Sequence, residues 1–335
     1  MRILLAIDSS TTSQYVVNAA AIRPWPPGTV FCVFSVVDVR LWNELPELIK
    51  DAERETQFLV KGAAETLTQT GHEVFSEFQL GLPKKAISEY AKQWAADLVM
   101  VGSHGQSALT RFFLGSVAQA VLHTSPCSVE IVRPTPVPPL PSDGMRILLA
   151  TDGFECSAKA VDSVANRPWP AKSQIRILSV VELPLVPTTP SPADSEYSDP
   201  LFESVCKEAR ARADDAVADA RSTLSIAGLN MCNGEATPEG EPRTLILDEA
   251  KSWGADLIVL GSHGRHGWDR LMMGSVAESV ALHAHCSVEV IRRSEGKLLE
   301  PGSDGSADKS SACASALAQK RLHWERSARS RKVPG

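Results

Sequence analysis

Gly102, Gly105 and Gly115, with Ser116 directly after the last, form the string Gly-x2-Gly-x9-Gly-Ser, and Gly261, Gly264, Gly274 and Ser275 repeat it at the same spacing. Backbone amides are the chemistry such a string offers. A residue without Cβ lets the chain approach a ligand closely or take positive φ. The free N–H groups and the dipole of a helix start suit phosphate oxygens. Gly102 and Gly105 would shape the turn, and Gly115, Ser116 and Val117 would open the next helix; Gly274, Ser275 and Val276 would do so in the second string. Ser116 adds a hydroxyl donor. Arg111 and Arg270, aligned inside the two strings, would supply positive charge. Asp8 and Asp152 each end the first apolar run of a repeat and are its shared carboxylates. No GxxxxGK[ST] occurs and no lysine follows the glycines, so this is not a Walker A loop. The chain has "AIDSST" where a dinucleotide fingerprint would stand, which removes support for hydride chemistry.

Other constellations carry less. His283, His285 and Cys286 in "LHAHCS" resemble a zinc set, but Cys286 aligns with Cys127, which has no such histidines. A packed thiol beside exposed histidines is the better account, and no side chain is assigned to metal. His104 and His263 sit inside the glycine strings and could touch phosphate, although histidine in an exposed loop is ordinary. Trp25, Trp94, Trp169 and Trp253 recur in both repeats and read as core packing. Ser9 and Ser10 lack an activating base and read as helix caps.

These residues are positioned by a duplication. "MRILLA" at 1–6 and 145–150, and "RPWP" at 23–26 and 167–170, recur at an offset of 144, whereas "CSVEIVR" and "CSVEVIR" recur at 159. The second copy therefore holds 15 extra residues between 182 and 240, assigned by Pro and Ser content to a loop at 184–200. Each copy reads βαβαβαβαβ. The strands run near 2–7, 29–37, 73–79, 97–102 and 128–133, and the helices begin near 9, 44, 83 and 115. Continuous apolar strands alternating with helices predict a parallel sheet covered on both faces. The domains fall at 1–133 and 145–293, joined by a Pro-rich linker at 134–144 and followed by a polar tail at 294–335 expected to be disordered.

The formal charge of −6 disfavours nucleic acid as a partner. Seven cysteines without CxxC fit reduced thiols, and no apolar segment reaches membrane-spanning length, so the expected location is the cytoplasm, with no membrane partner.

The glycine string after "ADLVMVG", the Asp closing the first strand and the final "CSVEIVR" strand together resemble the universal stress protein family in its ATP-binding branch. The upstream halves, "GLPKKAISEYAKQWAADLVMVG" and "GEPRTLILDEAKSWGADLIVLG", match as well, so the resemblance spans about 280 of the 335 residues. It implies two Rossmann-like domains, each with a five-stranded parallel sheet in order 3-2-1-4-5. Asp8 and Asp152 would then contact the nucleoside, and the backbone near Val37 and Val181 would meet adenine. Gly102, Gly105, Gly115 and Ser116, with Gly261, Gly264, Gly274 and Ser275, would hold ribose and phosphates. The implied ligand is ATP, or AMP or ADP, with Mg²⁺ a candidate on the phosphate oxygens. The family pairs through its last strands, which a tandem chain would satisfy internally; a homodimer is a further expectation. With no evident catalytic base, the reading is a nucleotide-binding stress-response or signalling module rather than an enzyme; the alternatives are a slow ATPase or a nucleotide-free dimerisation scaffold. Unlike fillers in the strings and the insertion in the second copy imply unequal affinity at the two sites.

Overall fold

The computed structural model describes residues 1–41, 45–105, 114–134, 144–183, 200–229, 231–264 and 273–292. In the first copy these form β1 (Arg2–Ala6), α1 (Thr11–Ile22), β2 (Val30–Asp38), α2 (Pro46–Thr68), β3 (Glu73–Gly81), α3 (Pro83–Gln93), β4 (Leu98–Gly102), α4 (Ser116–Thr124) and β5 (Ser128–Val132). The second copy repeats the order with β6 (Arg146–Ala150), α5 (Glu155–Ala165), β7 (Gln174–Leu178), α6 (Pro200–Ile226), β8 (Met231–Ala236), α7 (Pro242–Trp253), β9 (Leu257–Gly261), α8 (Ser275–His283) and β10 (Ser287–Ile291). All belong to one compact unit, Met1–Ser294.

Each copy is a parallel sheet, as the alternation of apolar strands and helices predicts, and its strands run in the order 3-2-1-4-5 that the resemblance implies. Strands such as Ile3–Leu5 and Leu98–Met100 are fully buried because helices cover both faces. The two sheets join edge to edge through an antiparallel pairing of β5 with β10, giving one ten-stranded sheet, β3-β2-β1-β4-β5-β10-β9-β6-β7-β8. A continuous apolar cluster crosses this seam, with Val129 and Ile131 on one side and Val288 and Val290 on the other. The last-strand pairing is thus made within the chain.

The seam also buries charge. Glu130 stands opposite Glu289 in the strand register. Arg23, the residue after α1, donates both terminal nitrogens to Glu130 at 2.7 Å, and Arg167, after α5, donates to Glu289 at 2.8 Å. All four side chains are at most 7% exposed. Burial opposes the Arg23 charge, but Glu130 outweighs it and holds the guanidinium above its ordinary value. Burial pushes the Glu289 carboxyl up, with Arg167 pulling it down and Glu130 adding to the rise. Arg133 reaches across the seam to the Ala281 and Leu282 carbonyls at the end of α8, and Arg292 reciprocates at Leu122 and His123 at the end of α4. These arginines meet the free carbonyls and negative ends of the opposite helices.

The repeated "RPWP" has its explanation here. Its Arg neutralises the seam carboxylate, and its Trp donates back to the preceding helix, Trp25 to Ala20 at 2.8 Å and Trp169 to Val164 at 2.9 Å. Trp25 and Trp94 are buried, as expected of core residues. Trp94 caps α3 rather than extending it, because Ala95 turns to a φ of 52°. The linker at 135–143, the segment at 184–199 and the tail lie outside the described residues.

Candidate functional site

Strands β1 and β4 are neighbours whose outer partners, β2 and β5, lie on opposite sides, so the winding direction reverses between them. Such a reversal opens a crevice at the carboxyl ends of the strands. In the first copy it holds a cavity of about 630 Å³. Asp8, Val37, Gly102, Gly105, Gly115, Ser116 and Val117 all line it. Arg111 and Arg270 lie outside the described residues.

A helix start lines it. Gly115 is the N-cap of α4 and donates its N–H to the Ser103 carbonyl at 2.7 Å. The first intrahelical bond of this turn runs from Gln119 N–H to the Gly115 carbonyl, so the amides of Ser116, Val117 and Ala118 precede it with no intrahelical acceptor. These residues face the cavity, and the helix dipole adds positive potential there. Carboxylates line it too. Asp38 and Glu55 line the wall with Asp8, and Arg40 holds Asp38 below the usual carboxylate range by hydrogen bonding to it. An apolar wall includes Phe34, whose ring stacks on Tyr90 at 4.2 Å.

Asp8 is fixed on one side. Its Oδ1 accepts from the Ser10 amide at 3.0 Å, from the Ser10 hydroxyl and from the Ser13 hydroxyl at 2.8 Å. Ser10 is the N-cap of α1 but makes no side-chain cap bond. Its hydroxyl turns instead to Asp8 Oδ1, and it caps the helix through its carbonyl, which accepts from the Ser13 N–H at 3.2 Å. Asp152 is held likewise, by the Ser157 hydroxyl at 2.6 Å and the Phe154 amide at 3.1 Å.

The glycines act by close approach, not by positive φ, which none of the six in the two strings adopts. A Cβ on Gly105 would lie 3.0 Å from Asp8 Oδ2, and one on Gly264 2.7 Å from Asp152 Oδ2. The middle glycine therefore lets the loop close over the carboxylate. A Cβ on Gly261 would fall 2.6 Å from the Cys156 backbone, so the strand end is pressed against α5. The neighbour in each case is protein, so chain packing alone already requires these glycines.

In the second copy Gly274 caps α8 and donates to the Ser262 carbonyl at 2.9 Å, repeating the first geometry with Ser275 and Val276 in the opening turn. The Val181 N–H donates to Pro238 at 2.9 Å, and the Val181 carbonyl accepts from Gly240 at 3.0 Å. The two loop histidines are oriented alike: Nδ1 of His104 and of His263 each lie 2.9 Å from the preceding serine hydroxyl. Cys286 is buried while His283 and His285 are exposed, which agrees with a packed thiol.

Sequence reasoning did not single out Ser13, Ser157, Asp38 or Glu55. Ser13 and Ser157 stand five residues after each aspartate, a spacing shared by both copies that could have revealed them.

A doubly wound parallel α/β sheet with a glycine loop and a helix N-terminus at its switch point defines a Rossmann-like fold, present here twice. The universal stress protein family model matches residues 1–133 and again 145–292, and the chain belongs to that family. A universal stress protein from Archaeoglobus fulgidus has a similar solved structure, with a TM-score of 0.59 at 20% identity over 88% of this chain and 97% of that one. One from Pseudomonas aeruginosa gives a TM-score of 0.55 at 17% identity over 88% and 93%. In sequence, a Staphylococcus saprophyticus universal stress protein is 29% identical over 47% of this chain and 96% of its own length. Among the described residues, no helix is long and apolar enough to cross a membrane.

Proposed function

We propose that the protein is an adenine-nucleotide-binding stress-response module that holds ATP, or its mono- or diphosphate, without rapid turnover. The observation that carries this reading is the pair of complementary groups in the first-copy cavity. Amides at the α4 start without an intrahelical acceptor line it, and so do Asp8, Asp38 and Glu55. Phosphates suit the amides. Ribose hydroxyls, which donate hydrogen bonds, suit the carboxylates. An adenine ring would lie along the apolar wall near Phe34 and Val37.

The residues fit a nucleotide and give little to a side-chain-held metal. Among the described residues no cluster of three His, Cys, Asp or Glu is arranged to bind one. Mg²⁺, where it enters, would come with the phosphates. Asp8 already accepts three hydrogen bonds on one oxygen, which suits holding a ligand more than shuttling a proton.

The test is to purify the full chain without denaturation, release bound small molecules with acid, identify them by chromatography, and titrate the emptied protein with ATP by calorimetry. Adenine nucleotide in the extract, or ATP binding in the titration, is the expected result. Absence of both overturns the proposal.

A further inference from the structure

The two copies treat their sites differently, and the difference lies in α2 and α6. The helices align on the glycines that close them at positive φ, Gly71 at 82° and Gly228 at 72°. The same register superposes buried Val60 on Val217 and Leu67 on Leu224. It also places Ala52, Thr56 and Leu59 of the first copy opposite Ala209, Ala213 and Ala216 of the second. The first three are half-buried and line the open cavity. Their counterparts are only 4–6% exposed.

What buries them is the second copy's own ligand position. Ala209 and Ala213 pack with Val181, the residue whose counterpart Val37 lines the first cavity. Farther along α6, a Cβ on Gly153, the residue next to Asp152, would come within 3.2 Å of Ala216. Arg210, beside Ala209, pairs with Glu239 in the turn that hydrogen-bonds to Val181 from both sides. That exposed ion pair adds little by itself; the packed alanines carry the closure.

We propose that α6 is a built-in strap that shuts the second site, so that the chain takes its nucleotide in the first copy alone. This rests on the nucleotide reading above. The closure itself is a property of the protein without ligand.

Two measurements on the full chain separate those claims. Amide hydrogen exchange without ligand reads the strap directly. Val181 and Gly240 should be strongly protected, and Ala213→Glu, which forces a carboxylate against Val181, should raise exchange there by about tenfold or more while leaving β1 and β4 unchanged. Rapid exchange at these amides in the unmodified protein overturns the strap whether or not nucleotide binds. Photolabelling with 8-azido-ATP, followed by peptide mapping, then reads the consequence. Label confined to first-copy peptides, with one ATP per chain by calorimetry, supports the proposal. Label of comparable yield in both copies, or in the second alone, overturns it. Protected amides with no labelling anywhere would overturn the nucleotide reading, and with it the single-site consequence, but not the closure.

Discussion

Replacing Arg167 with Met tests whether the charges at the seam are coupled as the geometry implies. The substitution keeps much of the side-chain volume but leaves Glu289, 1% exposed, facing Glu130 without its own cation. Removing one partner of a buried ion pair costs about 3–5 kcal/mol, most of it the desolvation of the charge left behind. Guanidinium unfolding of the full chain at pH 7 should show a loss of that size. The pH dependence carries the diagnostic sign. Glu289 already titrates above its ordinary value because it is buried, and Arg167 is the strongest influence holding it down. Without Arg167 its folded pKa rises further. A carboxyl raised in the folded state contributes stability below its unfolded value of about 4.3, and that contribution is lost as pH rises through the folded value. Over that window the variant should regain about 1.4 kcal/mol per unit of acidification, and the unmodified protein less. The double variant Arg167→Met with Glu289→Met should recover most of the loss, since an apolar pair of similar volume replaces a buried ion pair at little cost. A loss under about 1 kcal/mol, or one that does not change with pH, would refute the reasoning.

Other expectations follow from single contacts. Gly261→Ala puts a Cβ 2.6 Å from the Cys156 backbone and should cost about 1–3 kcal/mol by thermal unfolding; an unchanged melting temperature would contradict the close approach. Ser13→Ala removes a donor to Asp8 Oδ1 and the acceptor of the Asp8 amide, and should cost about 1–3 kcal/mol in stability and weaken ATP binding in calorimetry. Burial pushes the Cys32 thiol up to about 12, Cys127 to about 11 and Cys286 to about 12. At pH 8 these three should stay unmodified by iodoacetamide in the native protein and react once it is unfolded, as read by peptide mass; native labelling would show that the core opens. Gly115→Val places side-chain atoms against the His104 and Ser103 backbone, 3.3 Å from the Cβ position. It should abolish ATP binding with circular dichroism unchanged.

The fold was legible because its signals are local and doubled. Apolar strand-length runs such as Ile3–Ile7 and the prolines opening α2, α3 and α7 predict element types, and the second copy repeats them. The glycine strings and the helix starts they open were legible for the same reason. What escaped depends on contacts across long sequence distances. Arg23 and Glu130 are 107 residues apart, and neither "RPWP" nor "CSVE" says which element it will meet. The alanines of α6 carry no sequence signal of their own, and only the packing of Ala209 and Ala213 on Val181 distinguishes them from the pocket-lining face of α2. Ser10 holds the N-cap position expected of it, but its hydroxyl goes to Asp8 two residues earlier, a contact that capping preference alone does not reveal.

The antiparallel join of β5 to β10 also constrains synthesis. Val129 pairs with Val290, so the first copy must leave the ribosome and wait through the translation of the second before its last strand finds a partner. During that interval β5 is an open edge, with Glu130 and Arg23 beside it, and its surface is complementary to the same nascent segment on a neighbouring chain. Tethering the partner to the same polypeptide keeps its effective concentration high once it emerges, about millimolar for a short linker. Slow translation of the second half or crowded polysomes would therefore favour first copies pairing between chains, and the yield of correctly closed monomer should depend on elongation rate.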